Sequence, residues 1–334
     1  MAHIATKRVS YWGQAGILLG LFGIGLIIGG IVSFIPFIGK LNLKDLSGPG
    51  LMDAMFKPEF ANELRMMQFI STLFGFFIPA FFYAKICHKK AFKHLGFIKM
   101  PSLQQLVLIV FIMVCALFIV GAISELWQRI PFPEYWKAKF KAAEDAYNKQ
   151  MLIMARMNGF ADYILSMIIV ALLPAVFEEA VFRGALQNLL SRWMKAPIWA
   201  IIITSILFSA FHFSYEGFLQ RVVLGFILGW MFYRTGNLWT SIIAHFINNG
   251  IGITILYFAS KPGQPTDLSK LDDRMPLWLG IAGIVAVYVL LYVFDKVSSR
   301  EIDRPGQEIP LPGYIDPNNP FADDINAIGN QNLS

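Results

Sequence analysis

Long apolar stretches separated by short polar connections run through most of the chain. They extend from Ala15 to Ile38, Met66 to Ile86, Leu106 to Ile123, Ala161 to Phe177, Trp199 to Phe213, Leu238 to Phe258 and Leu277 to Phe294, with a shorter one from Val222 to Tyr233. A helix crosses the hydrocarbon core with about 20 mostly apolar residues. The pattern therefore predicts an all-α fold, a polytopic membrane helix bundle of about eight transmembrane helices. The first stretch is too long for a signal peptide and has no small-residue cleavage site before polar sequence, so it is expected to stay in the bilayer.

Composition agrees with that reading. Of 334 residues 56% are hydrophobic and 15% charged, against about 25% charged in an ordinary soluble domain. Cys87 and Cys115 have neither a disulfide framework nor a metal-ligand spacing around them. The net charge of +6 does not point to nucleic acid, because the lysines cluster beside spans, at Lys85, Lys89, Lys90, Lys93 and Lys99. Such clusters set orientation. Lys7, Arg8, Arg192 and Lys195 fall on the same side, while Lys40, Lys44, Lys137 and Lys139 are mixed with Asp45, Asp53, Glu134 and Glu144. An integral protein of the plasma (inner) membrane with both termini cytoplasmic is expected.

Polarity divides the chain further. Residues 1–124 read as a three-span scaffold with hardly any ionisable groups inside the spans. Residues 125–160 form a polar connection in which Trp136, Phe140, Ala143 and Tyr147 recur at helical spacing, the pattern of a helix on the membrane surface or capping the bundle, or of a solvated helix. Residues 161–260 form the core, where polar groups move inside the spans. Residues 261–294 hold the last span, and 295–334, rich in Pro, Gly, Asn and Asp, read as a disordered cytoplasmic tail.

An ionised side chain at the bilayer centre costs roughly 2.5–3.5 kcal/mol on the insertion scale, and such residues usually mark function. Glu178, Glu179 and Arg183 continue an apolar helix without a turn signal. Glu179 and Arg183, four apart, share a face and can pair. Glu178 is turned away by about 100°, which leaves an acid without a local counter-charge, suited to accept a proton. His212 lies as far after a turn near Lys195 as Glu178 lies before it, seventeen residues each, so antiparallel neighbours hold the two at one depth. His245 and Asn249 are one turn apart on the next span and serve either as interhelical glue or as oxyanion donors. If the turn near Gly236 is level with that at Lys195, upright helices leave His245 about 12 Å shallower than His212.

These residues spell three ordered motifs: EExxxR at Glu178 to Arg183, FxxxH at Phe208 to His212, and HxxxN at His245 to Asn249. Together they resemble the CPBP family (CAAX protease and bacteriocin-processing, Abi), which includes type II CAAX prenyl endopeptidases, over roughly Ile164 to Ile255. The resemblance implies an intramembrane endopeptidase acting on a peptide or protein substrate at the lipid bilayer, membrane-associated or lipidated. It makes Glu178 the general base, His212 its partner in activating water, His245 and Asn249 the oxyanion stabilisers, and Glu179 and Arg183 supports. Two alternatives stand beside a glutamate-activated water. In one, a zinc-dependent metalloprotease uses Glu178, His212 and His245 as ligands, without the preformed pair an HExxH would supply. In the other, the protein is a non-catalytic transporter or scaffold, although Pro174 is the only helix break near the ionisable groups and no internal repeat is evident.

Overall fold

The computed structural model describes residues 9–41, 50–87, 90–131, 133–154, 156–157, 159–259 and 275–302, and no strand occurs among them. α1 covers Tyr11–Val32, with the Ser10 hydroxyl accepting the Gly13 N–H at its start. α2 covers Pro58–Cys87. α3 covers Leu103–Gln128 behind a capping box of Ser102 and Gln105. The amphipathic connection forms α4, Glu134–Met154. Then follow α5, Phe160–Met194, α6, Pro197–Ala210, α7, Phe218–Thr235, α8, Leu238–Ala259, and α9, Leu277–Ile302.

Six of these, α1, α2, α3, α5, α8 and α9, are long and apolar enough to cross a membrane. Large apolar side chains stand exposed along them, including Leu19, Ile27 and Ile31 on α1 and Ile281, Val285 and Tyr288 on α9. A surface so apolar suits lipid, and the chain is an integral membrane protein. The other two expected spans fall short of the count of eight for separate reasons. α6 has 14 residues and rises about 21 Å, less than a hydrocarbon core of about 30 Å. α7 has 18 residues but carries Gln220, Arg221 and Arg234.

Two prolines shape the long helices. A proline inside a helix lacks the N–H and clashes with the carbonyl four residues back. Pro79 in α2 and Pro174 in α5 each follow a π-helical stretch, Leu73–Phe77 and Met167–Leu172, whose widened turn gives that carbonyl room. A third π stretch, Ala180–Gln187, follows the two glutamates and has no proline to account for it.

The level-turn assumption is wrong. The Leu238 N–H opening α8 donates to the Gly96 carbonyl at 2.8 Å, and the adjacent Leu95 carbonyl lies against Gly184, where a Cβ would come within 2.8 Å of it. α8 thus begins beside Gly184, about 16 Å along α5 from Lys195. A loop of the scaffold fixes that start, and it removes the depth mismatch between His245 and His212.

α4 lies over the bundle at the His212 end. The Arg65 Nε of α2 donates to the Met154 carbonyl at 2.8 Å, which ties the C-terminus of α4 down. Glu144 accepts the Ser214 hydroxyl at 2.9 Å and the Glu216 N–H at 3.4 Å, and Phe140 stacks on Tyr215 with centroids 3.6 Å apart. At the other end of the chain, the expected tail does not start at Asp295. α9 continues to Ile302 because Asp295 accepts the Trp230 indole N–H and pairs with Arg234, both at 3.1 Å. The rest of the expected tail, 303–334, lies outside the described residues, as do Lys7, Arg8, Lys44, Asp45 and Lys89.

Gly184→Ala should force the Leu95 loop and the start of α8 apart, at a cost of about 1–3 kcal/mol. Thermal unfolding in detergent reads this, and an unchanged midpoint would refute the proposed register between α5 and α8.

Candidate active site

Glu178 and Glu179 lie on the α-helical turn Leu173–Glu179, between two π stretches of α5. Glu179 is fully buried, as is Arg183, and the guanidinium Nη1 donates to Glu179 Oε1 at 2.6 Å. The expected pair therefore forms. The same oxygen also accepts from His245 Nδ1 at 3.0 Å, a contact that helix geometry within α5 could not reveal. Arg183 also meets the Gly225 carbonyl at 3.2 Å and the Phe208 ring, 4.6 Å from its Cζ, while its Nε is buried without a hydrogen-bond partner among the described residues.

That arrangement orients the histidines. A carboxylate only accepts, so His245 holds its proton on Nδ1 and turns Nε2 toward Glu178. His212 Nδ1 faces the Phe208 carbonyl at 2.9 Å, which likewise makes Nδ1 the donor. The two Nε2 atoms stand 3.8 Å (His212) and 3.9 Å (His245) from Glu178 Oε2. That oxygen is buried and has no hydrogen-bond partner among the described residues. Three hydrogen-bonding atoms thus converge on a gap. A water about 2.8 Å from two of them spans 3.8 Å at an angle near 90°, so the gap is of a size to take a water.

Zinc fits less well. With ligand bonds of about 2.0–2.1 Å, tetrahedral donors stand roughly 3.3 Å apart, and 3.8–3.9 Å would open the angles to about 140°. No group of three or more His, Cys, Asp or Glu among the described residues is placed to hold a metal ion. The ligand set of Glu178, His212 and His245 expected for a metalloprotease is therefore not supported.

Asn249 completes the cluster. The Asn248 amide donates to Asn249 Oδ1 at 3.3 Å, leaving the Asn249 amide hydrogens for the cavity. A chamber of about 530 Å³ reaches Glu178, His212 and Asn249 from the side of α2 and α4. A smaller recess of about 160 Å³, which His245 lines, adjoins it at His212, Asn248 and Asn249. Tyr147 of α4 lines both, and Arg221 of α7 lines the recess. The sequence pattern gives neither a role in the site. Tyr147 looks like one more apolar position of an amphipathic helix, and Arg221 like a cation at the end of a short span. Phe208 has a clearer signature, since the first residue of FxxxH lies one turn before the histidine whose ring its carbonyl holds.

The two neighbouring glutamates should respond differently to neutralisation. Glu179→Gln leaves Arg183 a buried charge without an acid and should cost about 3–5 kcal/mol. Glu178→Gln, whose Oε2 has no bond to lose, should cost no more than about 1 kcal/mol. Unfolding of both variants in detergent tests this, and equal losses would contradict the division of labour.

Comparison with known proteins bears on the same segment. Residues 160–251 match the family profile described as type II CAAX prenyl endopeptidase Rce1-like. An uncharacterised protein of Bacillus subtilis (strain 168), YpbD, is 35% identical over 88 residues, which are 25% of this chain and 42% of that protein. The chain thus spans less than half of that relative's length in the match. No solved structure matches. Residues 160–251, which hold all three motifs and every residue of the cluster around Glu178 except Tyr147, are thus the part of the chain that is similar to the Rce1-like type II CAAX prenyl endopeptidases.

Proposed function

We propose that the protein is an intramembrane endopeptidase that hydrolyses peptide bonds of membrane-associated or lipidated peptides with a glutamate-activated water. The observation that carries this reading is the water-sized gap between Glu178 Oε2 and the two Nε2 atoms, buried yet adjoining a chamber of about 530 Å³ that Glu178 and His212 line. The family match over the same residues supports it.

In this reading Glu178 takes a proton from the water while His212 Nε2 orients it. The hydroxide oxygen bonds to the peptide carbonyl carbon. The developing oxyanion accepts from the Asn249 amide and from His245 Nε2, a role in which His245 is protonated on both ring nitrogens throughout the cycle, with Glu179 facing its charge, so that it takes no proton from the water or the peptide. Glu178 then passes its proton to the leaving nitrogen as the C–N bond breaks, which returns the site to its starting state. Arg183 and Glu179 touch no reacting atom and position His245. Residues 161–260 are the catalytic core and the three N-terminal spans its scaffold. With both termini cytoplasmic, the Lys195 turn faces the cytoplasm and α4 covers the opposite side.

Glu178→Gln should lower cleavage of a panel of membrane-associated peptides by about 10²–10⁴-fold, and Asn249→Ala by about 10²–10³-fold. Turnover by the wild type should survive a strong zinc chelator. Loss of turnover on chelation would replace the glutamate-activated water by a metal mechanism, and full activity of Glu178→Gln would sink the hydrolase reading.

A further inference from the structure

Arg221 belongs to none of the motifs, and the reaction above leaves it unused. It rises from the first turn of α7 into the 160 Å³ recess beside His212, His245 and Asn249. Its guanidinium is held in two ways. Nη2 donates to the Ser214 carbonyl at 2.6 Å, and the group lies on Gly217, where a Cβ would come within 2.3 Å of Nη1. Both are neutral contacts. Nε is buried without a hydrogen-bond partner among the described residues, and no carboxylate there comes within ion-pair distance. Glu144, the acid of the cap above it, is taken up by Ser214 and Glu216.

Tyr147 descends from α4 into the same recess. Burial raises its phenol above the ordinary tyrosine range, with Arg221 opposing that shift, so near neutrality it is a protonated donor. Leu224 and Leu228 wall the other side. A largely desolvated cation beside a donor, with Glu144 and Glu178 near enough to act on its charge but no carboxylate among the described residues within ion-pair distance, and with an apolar wall, suits an anion that arrives with apolar surface attached.

We infer that Arg221 and Tyr147 form a carboxylate-binding subsite at the end of the active-site cavity, which takes an anionic group of the peptide close to the scissile bond. The inference rests on reading this cavity as the place where a peptide is cut. The carboxylate has two sources, the free C-terminus of the substrate or an acidic side chain near it. Gly217 and the Ser214 carbonyl hold the guanidinium in position in either case.

The test uses one peptide in three forms: a free C-terminal carboxylate, the C-terminal amide, and the amide with an acidic residue in the last position but one. Equilibrium binding is measured on full-length Glu178→Gln protein in detergent, where nothing is turned over, and cleavage on the Glu178 protein. The free acid should bind about 10- to 100-fold more tightly than the amide. Adding Arg221→Gln should abolish that preference, and adding Gly217→Ala, which keeps both donors but displaces the guanidinium, should diminish it. Binding of the third form as tight as the free acid assigns the carboxylate to a side chain, and binding as weak as the amide assigns it to the terminus. Equal binding of acid and amide, no binding of any form, or a preference that survives Arg221→Gln in a protein with an unchanged unfolding midpoint overturns the subsite. A binding preference without cleavage of any form would instead remove the hydrolase reading and leave the subsite standing.

Discussion

The carboxylate of Glu179 is wholly removed from solvent, and its desolvation is offset by two donors on different helices, Arg183 on its own α5 and His245 on α8. Arg183 in turn reaches the Gly225 carbonyl of α7 and the Phe208 ring of α6. One buried charge thereby ties four helices together. Such a network is not an economical source of stability, because ion pairs in an apolar interior scarcely repay their desolvation. Its effect is geometric. Since Glu178 follows directly in the chain and is turned by one residue's rotation, every helix bound to Glu179 is also placed relative to Glu178, and His245 cannot rotate its Nε2 away without breaking the bond at Nδ1.

Much of this was legible in the sequence, and the parts that were not share a cause. The rotation between Glu178 and Glu179, the pairing of Glu179 with Arg183 and the common depth of Glu178 and His212 follow from helix geometry along one hairpin. The second partner of Glu179 does not, because His245 arrives from a helix whose depth is set by the Leu95–Gly96 loop of the scaffold. No periodicity within residues 161–260 encodes that loop's position. Arg221 and Tyr147 escaped for a related reason. Each has an ordinary explanation on its own element, and only the packing of α4 over the α6–α7 turn brings them into one recess. Local composition places Asp295 in a disordered tail, while its indole and guanidinium partners lie on α7.

The turn after α6 serves both the site and its cover. Phe213 adopts a positive φ of 51°, which reverses the chain directly after His212 and presents Ser214 and Tyr215 to α4. The helix that covers the chamber is thus fastened one and two residues beyond Phe213, on the chain that carries a histidine of the site. Motion of α4 and the position of His212 are therefore mechanically linked.

The brevity of α6 also bears on the surrounding lipid. Ile198, Trp199, Ile206 and Leu207 face outward along it, yet the helix rises only about 21 Å, so its apolar face is shorter than the acyl layer beside it. Hydrophobic mismatch of this kind is relieved by thinning of the adjacent leaflets, at fractions of a kcal/mol per Å. Lipid packed against α6 thus meets polar connections after a shorter rise than lipid packed against α1, α3 or α9. A polypeptide anchored in that thinned region has the least hydrocarbon to cross.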